Sequence, residues 1–332
     1  MRTAPAFWWR ERPDFAATLL RPAGALYGVI TAKRMMQDGV TLPVPALCVG
    51  NLVAGGAGKT PTAIAIAQLL TGLGHRPAFL SRGYGRAISS AGGRAVLRVD
   101  LAHHDVGNAG DEPLLLAGVA PTYVSTDRVA AARRATDDGA TILVLDDGLQ
   151  NPALTKSFSV AVVDGVTGIG NGLCIPAGPL RAPLHAQLPL VSAFCIVGPG
   201  EAGRRLAATA EREGLPVLRA RLTPDAGVIE QLRGSPLYAF AGIGRPSKFF
   251  ATLAEKDLDV RGRRALPDHH RFTPDDLAAL LHEAEQSGAR LVTTAKDRTR
   301  LPADFPAIAL PVSLTFDDEA RMIALLARFP AV

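Results

Sequence analysis

The stretch GNLVAGGAGKTPT, residues 50–62, decides the fold class of this chain. Its glycines let the backbone turn sharply, so that successive amides point at phosphate oxygens and the positive end of the following helix faces them. We therefore expect a nucleotide site in which Lys59 reaches the β- and γ-phosphates of ATP and the Thr60 hydroxyl binds Mg²⁺. The predicted nucleotide-binding residues are Gly55, Gly56, Ala57, Gly58, Lys59, Thr60 and Pro61.

The glycine spacing departs from the usual phosphate-loop pattern G-x-x-x-x-G-K-[ST]. Counting back from Gly58, the first glycine of that pattern would fall on Val53. A structural glycine-rich turn is the alternative, but the apolar strand before the stretch and the helix after it favour a nucleotide site.

Short apolar strands alternate with helical stretches from residue 46 to about residue 200, which predicts the α/β class. Near-continuous runs such as TILVL and SVAVV indicate a parallel sheet buried on both faces by flanking helices. The predicted strands are 46–49, 78–81, 141–145, 160–163 and 194–197, and the predicted helices are 61–73, 127–137 and 201–213.

A second set of elements begins with a predicted strand at 237–241. It continues with a helix through 249–258, a helix opened by Thr273 with Pro274 in its first turn, a strand at 290–294 and a last helix at 317–329. We predict a P-loop domain at 1–225 and a smaller α/β domain at 226–332 across a cleft, with the final helix free to pack back on the first domain.

Paired acidic residues supply the other groups that phosphoryl transfer needs. Asp146 and Asp147 follow the strand at 141–145, where an acid is expected to hold the metal, although a solvated DDG turn is the alternative. Asp111 and Glu112 lie in a loop between Gly110 and Pro113, and an aspartate there can orient or deprotonate an attacking hydroxyl.

The run PDHHRF places two histidines beside an aspartate in the second domain. A lone histidine is usually structural, but His269 and His270 next to Asp268 and Arg271 are suited to acid/base work or phosphate contacts. The three cysteines are too few for a disulfide framework and are expected as buried thiols in a reducing compartment.

The N-terminal segment is basic and aromatic, and the net charge of the whole chain is +5. Trp8 and Trp9 stand among arginines, which is typical of a helix at a lipid interface, although a helix packed on its own domain is equally compatible. We expect peripheral binding to anionic membranes rather than a membrane-spanning helix, because Arg21 and Pro22, and later Lys33 with Arg34, interrupt the apolar run.

Two other functions are compatible with parts of the sequence. A nucleotide-dependent switch or assembly ATPase would use the same loop. However, TTAKD at 293–297 is only a weak match to the guanine-selecting motif N-K-x-D. Nucleic-acid binding is not expected, since Arg82, Arg86, Arg94 and Arg98 lack an ordered set of stacking aromatics. Nothing indicates an obligate protein partner.

A series of motifs resembles the tetraacyldisaccharide 4'-kinases, the lipid A 4'-kinases of Gram-negative bacteria. Besides the phosphate loop they are SRGYGR (81–86), GDEP (110–113), DDGLQ (146–150), GNGLCIPAGPLRAP (170–183), FAGIGRPSKFF (240–250), DHHRF (268–272) and TTAKD (293–297). The resemblance implies transfer of the ATP γ-phosphate to the 4'-hydroxyl of a tetraacylated disaccharide 1-phosphate, with magnesium, on the cytoplasmic face of the inner membrane.

The same resemblance implies roles for individual residues. Lys59 matches the phosphate-loop lysine, Asp111 the catalytic aspartate, and His269 the histidine that works with it across the cleft. Glu112 matches a metal contact, as do Asp146 and Asp147 together with Thr60. The departures are Leu149 and Asn151 in place of phenylalanine and histidine, and Ala295 in place of glutamate; asparagine cannot carry a proton, which puts a catalytic role for position 151 in doubt.

Overall fold

The computed structural model describes residues 4–83 and 94–329, so Tyr84, Gly85 and Arg86 of the SRGYGR motif lie outside the described residues. Strands β1–β13 are Ala46–Gly50, Pro77–Ser81, Leu97–Arg98, Thr122–Val124, Ile142–Asp146, Phe158–Asp164, Ala193–Val197, Val217–Pro224, Leu237–Ala241, Val260–Ala265, Arg290–Thr294, Ala307–Leu310 and Val312–Phe316. Helices α1–α12 are Phe15–Met35, Lys59–Gly72, Val106–Ala109, Asp111–Ala117, Arg128–Asp137, Leu184–Gln187, Glu201–Arg212, Ala226–Leu232, Pro246–Glu255, Pro274–Gln286, Ala295–Arg298 and Glu319–Leu326. Short 3-10 turns lie at Ala6–Trp9 and Leu188–Leu190.

Strand β1 lies at the centre of the larger sheet. Within the described ranges that sheet has the order β13-β8-β7-β6-β1-β5-β2-β4-β3, parallel except at its two edges. Strand β1 pairs with β5 on one side and with β6 on the other; strands β2–β5 lie on the first side and β6–β8 on the second. The loop after β1 therefore opens at the point where the strand order reverses. Open α/β sheets bind ligands at that point, at the carboxyl ends of the strands.

The larger sheet is buried on both faces, as the apolar runs predict. Every residue of β1, β5, β6 and β7 is buried. One core packs Leu145, Leu149 and Phe194 on one face, and a second packs Ile66 and Phe158 on the other. The α/β class is confirmed.

A smaller parallel sheet, β10-β9-β11-β12 in the part of the chain described, lies between residues 237 and 310. The chain then returns, because β13 pairs antiparallel with β8 and α12 packs Met322 and Leu326 into the core of the larger sheet. The predicted boundary at 225 and 226 stays a proposal. The last helix packs back on the first domain, as the sequence allows, and β13, which was not predicted, joins the larger sheet.

The N-terminal segment differs from its prediction in two ways. Helix α1 continues through Pro22 for 21 residues, and by length and composition alone it is long and apolar enough to cross a membrane. The tryptophans are half-buried against the first domain: Trp8 donates from Nε1 to the Pro176 carbonyl at 2.9 Å, and Trp9 packs on the core. This packing does not favour them as the main lipid contact, and their predicted role at the membrane stays a prediction.

The exposed apolar surface belongs to α1 instead. Phe15 is 84% exposed and Leu19 70%, and Leu26, Val29 and Ile30 are each more than 60% exposed.

Small residues on the opposite stripe of α1 allow close packing against residues 170–183, which we call the bridging loop. A Cβ built on Gly24 would lie 2.7 Å from the Cys174 carbonyl oxygen, and one built on Gly28 would lie 3.0 Å from Cys174 Sγ. One face of α1 is thus fixed to the protein and the other is open.

Candidate active site

The phosphate loop adopts the backbone expected of an anion cradle. Gly55 and Gly58 have φ of 129° and 89°, conformations that favour glycine, and α2 begins at Lys59. Buried Asn51 donates from Nδ2 to the Gly55 carbonyl at 3.0 Å, which holds the loop from within. The Lys59 ammonium lies 3.4 Å from that carbonyl oxygen.

Asp146 has the environment of a cation ligand. It is 3% exposed, its Oδ1 has no hydrogen-bond partner among the described residues, and its Oδ2 accepts from Thr60 Oγ1 at 3.3 Å. Burial, with the nearby charges of Glu112 and Asp147, raises the pKa of Asp146 well above its usual range. A hard cation would relieve this cost, so Thr60 and Asp146 fit Mg²⁺, which takes few protein ligands beside phosphates and water.

The Asp147 carboxylate, which was predicted to bind the metal, instead forms an ion pair with an arginine. Arg181 of the bridging loop binds both of its carboxylate oxygens, at 2.6 and 2.9 Å, and the Lys59 ammonium lies 3.9 Å away. Although burial acts in the opposite direction, Lys59 and Arg181 hold the pKa of Asp147 below its ordinary value. Its φ of 56° is unusual for a residue other than glycine, and such backbone strain often accompanies a functional site.

Asp111 begins a helix rather than lying in the predicted loop. Gly110 caps α4 with φ of 93°, and Asp111 is the first residue of that helix. Its side chain is 3% exposed, and Oδ2 lies 2.9 Å from His269 Nδ1. Burial alone would raise the pKa of Asp111, but His269, Lys296 and Arg300 outweigh it and keep the carboxylate ionised.

The two histidines of DHHRF have separate partners. His269 meets Asp111 across the cleft, with its backbone held at φ of 57°, whereas His270 Nε2 lies 3.0 Å from Asp276 Oδ2 at the start of α10. A cavity of about 230 Å³ opens beside the Asp111–His269 pair, and Asp111, His269, Arg271, Phe272 and Arg300 line it.

Two cations near this pair were not assigned from the sequence. Lys296 Nζ lies 2.9 Å from Glu112 Oε1, and Arg300 donates from Nε to Asp111 Oδ2 at 2.9 Å. The sequence feature that could have indicated them is their spacing of four residues in TTAKDRTR, because this spacing places both side chains on one side of a helical turn.

The second sheet also reaches the phosphate loop. A Cβ built on Gly244, in the loop after β9, would lie 3.7 Å from the backbone nitrogen of Gly56. Nearby, Asp164 at the end of β6 pairs with Arg245 at 2.6 Å and with Lys248. The two sheets therefore contact one another at the predicted nucleotide site.

The departures from the family motifs have structural explanations. Leu149 is buried in the core, and Asn151 accepts from the Ala153 amide at 2.9 Å, which closes its own turn. Ala295 begins α11. Asp297 of TTAKD is fully buried and accepts from Thr294 and Gly242, so it is not available to select a guanine.

A phosphate loop after the central strand of a parallel sheet, with a buried acid ending the neighbouring strand, defines a P-loop nucleotide-binding protein. Residues 16–330 match the family model described as tetraacyldisaccharide-1-P 4'-kinase. Curated tetraacyldisaccharide 4'-kinases are similar over nearly the whole length: the relative from Methylobacterium sp. strain 4-46 is 54% identical over 98% of this chain and 97% of its own. The relative from Rhodopseudomonas palustris strain BisB5 is 47% identical over 96% and 94%. The chain belongs to the tetraacyldisaccharide 4'-kinase family.

A solved structure shares the fold. LpxK from Aquifex aeolicus, crystallised in complex with ATP, superimposes with a TM-score of 0.73 at 24% identity, covering 94% of this chain and 99% of that one. The family resemblance seen in the motifs is confirmed, and it supports a kinase over a nucleotide-dependent switch.

Proposed function

We propose that this protein transfers the γ-phosphoryl group of ATP to the 4'-hydroxyl of a tetraacyldisaccharide 1-phosphate, a step in lipid A biosynthesis. The observation that carries the proposal is the Asp111–His269 pair, joined at 2.9 Å across the same cleft that the phosphate loop enters. Family membership names the acceptor, and the pair supplies the group that such an acceptor needs.

Asp111 and His269 act as a unit on the acceptor hydroxyl. The carboxylate is flanked by cations and keeps a low pKa, so it is a poor final holder of a proton and a good orienting group. It fixes the imidazole through Nδ1, and a histidine ring is the commonest proton acceptor in general-base catalysis. The hydroxyl is therefore positioned by the pair, and its proton ends on His269 as the phosphoryl group is transferred.

Lys59 and the loop amides stabilise the phosphates. Residues 55–61 form the site for the β- and γ-phosphates, and the Lys59 ammonium, 3.4 Å from the Gly55 carbonyl oxygen, would neutralise the charge that develops on them. We assign Thr60 and Asp146 as the main residues for Mg²⁺, with Glu112 and Asp147 at its periphery. When bound, Mg²⁺ neutralises charge on the phosphate oxygens.

Peripheral association with the cytoplasmic face of the inner membrane places the enzyme beside its acceptor. Helix α1 carries the exposed apolar side chains of its open face together with exposed Arg21, Lys33 and Arg34, as in helices that lie in the lipid interface. The Gly24–Gly28 stripe packs on the bridging loop, so the helix is not free to be surrounded by lipid on all sides.

The test follows radiolabel from γ-labelled ATP into a chloroform-soluble product when the disaccharide acceptor is supplied. Asp111→Ala is expected to lower turnover by about a hundredfold or more while ATP affinity changes little. Wild-type turnover in that variant would remove Asp111 from the mechanism. Inorganic phosphate released without labelled lipid would instead support the switch.

A further inference from the structure

The segment TTAKDRTR has no role in the proposed reaction, yet it reaches the centre of the candidate site. Lys296 lies on the one-turn helix α11 and Arg300 lies just beyond it. Both side chains point toward the first domain, where they meet the consecutive acids Glu112 and Asp111.

Arg300 is the more buried of the two, with 4% of its side chain exposed. On the first domain it contacts Asp111 Oδ2 through Nε at 2.9 Å and through Nη2 at 2.7 Å. On its own domain Nη1 donates to the Gly242 carbonyl at 2.9 Å and to Asp297 Oδ1 at 3.0 Å. A planar guanidinium with five donors can make such a divided set of contacts, whereas a lysine ammonium cannot.

The Gly242 carbonyl links Arg300 to the second member of the pair. It also accepts from the backbone amide of His269 at 3.1 Å. Arg300 therefore touches the Asp111 carboxylate at one end and, at the other, the carbonyl that holds the His269 backbone. Asp297, fully buried and bonded to the Gly242 amide, fixes the same strand end.

Lys296 makes the matching contact to the neighbouring acid. Its ammonium lies 2.9 Å from Glu112 Oε1, 3.4 Å from His269 Nε2 and 3.9 Å from Asp111 Oδ2. It thus balances the charge of the acidic pair without replacing the direct contact from Arg300.

We propose that Arg300 is a positioning residue for the kinase reaction, setting the distance and angle between Asp111 and His269 across the cleft, with Lys296 holding Glu112 beside it. This inference rests on the proposed function. In this role Arg300 acts through the pair, and its loss leaves the phosphate loop unchanged.

The experiment compares Arg300→Met and Arg300→Lys with Arg298→Met as a matched control. Arg298 leaves the same helical turn, but within the described part of the chain it donates only to the Pro302 and Ala303 carbonyls, at 2.7 and 2.6 Å. For each folded variant we measure kcat for labelling the disaccharide acceptor at saturating substrates, and Kd for ATP by calorimetry.

Misplacing a catalytic group by about 1 Å can cost about a hundredfold in rate, and we expect that loss in kcat for Arg300→Met. Kd for ATP should stay within about threefold, because the phosphate loop is untouched. Arg300→Lys should recover about tenfold of the loss, since it restores the charge but not the divided contacts. Arg298→Met should match the wild type.

Equal kcat in Arg300→Met and Arg298→Met would overturn the inference, as would a loss confined to ATP affinity. If Arg300→Met does not fold, Arg300→Lys decides: a kcat about tenfold below the wild type with unchanged ATP affinity supports positioning, and wild-type kcat refutes it. Failure of the proposed function would give a different result from failure of this inference, because the wild-type protein itself would then label no lipid.

Discussion

Replacing Asp164 by asparagine tests how strongly the two sheets are joined beside the phosphate loop. The Asp164 carboxylate is 4% exposed and pairs with Arg245 and Lys248 at the start of α9. Burial alone would raise the pKa of Asp164, but Lys248 and Arg245 outweigh it and lower that pKa to about 2. Asparagine keeps an oxygen to accept from the Val166 and Thr167 amides, as Asp164 does at 3.1 and 3.0 Å, so the substitution removes charge and little else.

The magnitude follows from the two pKa values. Against an unfolded pKa of about 3.9, a native pKa of about 2 corresponds to about 2–3 kcal/mol of stabilisation at neutral pH. Lys248 is 39% exposed, so solvent screening reduces the expected loss in Asp164→Asn to roughly 1–2 kcal/mol. Because the native pKa lies below the unfolded one, the stabilisation is complete above about pH 5 and is lost as pH falls toward 2.

The assay is urea unfolding of wild type and variant from pH 8 to pH 3. The difference in free energy of unfolding should stay constant down to about pH 5 and shrink below about pH 4. The control is Asp259→Asn, which removes an exposed pair with Arg261 at 3.2 Å and should change stability by less than about 0.5 kcal/mol. A loss at pH 7 no larger than in this control, or a difference that grows in acid, would refute the reasoning.

Three further predictions concern the helix, the metal site and the histidines. Gly28→Leu should lower the free energy of unfolding by about 1–3 kcal/mol in urea titrations, because a Cβ there already lies 3.0 Å from Cys174 Sγ; unchanged stability would contradict the packing of α1. Asp146→Asn should raise the stability of the metal-free protein at pH 8 by about 1–2 kcal/mol, since the raised pKa makes the buried charge costly there, and should abolish the thermal shift produced by Mg²⁺ alone. His269→Gln should lower acceptor labelling by about a hundredfold while His270→Gln stays within about threefold; equal losses would show that the two rings are not functionally distinct.

The elements around the phosphate loop could be predicted because local sequence and burial agree there. The strand expected at 46–49 is β1 at Ala46–Gly50, and the strands expected at 237–241 and 290–294 have those bounds in the structure. Strands β8 and β10 were missed because their sequences, VLRARLTP and VRGRRA, alternate with exposed arginines and lack a continuous apolar run. Such strands are defined by their neighbours in the sheet rather than by their own composition.

Only part of the candidate site could be predicted from the sequence. Individual acids and histidines are visible in motifs, but which of two adjacent residues meets a distant partner depends on backbone conformation. Asp111 and His269 are separated by 158 positions, and the φ of 57° at His269 belongs to the tertiary fold. The spacing of Lys296 and Arg300 indicates that they share one side of a turn, but it does not indicate that Arg300 is buried while most arginines of the chain are exposed.

The irregular glycine spacing of the phosphate loop has its explanation in the bridging loop. Val53 stands where the usual first glycine would be, and it is buried, with its carbonyl accepting from Arg181 Nε at 3.1 Å. The Ala54 amide donates to the Pro179 carbonyl at 2.8 Å, so this side of the phosphate loop is held by strand-like pairing with residues 179–181. A residue fixed in extended pairing has no need of the conformational freedom of glycine. Arg181 also binds Asp147, and α1 packs on the opposite side of the same bridging loop. The segment that replaces the first glycine therefore connects the open face of α1 to the phosphate loop through direct contacts.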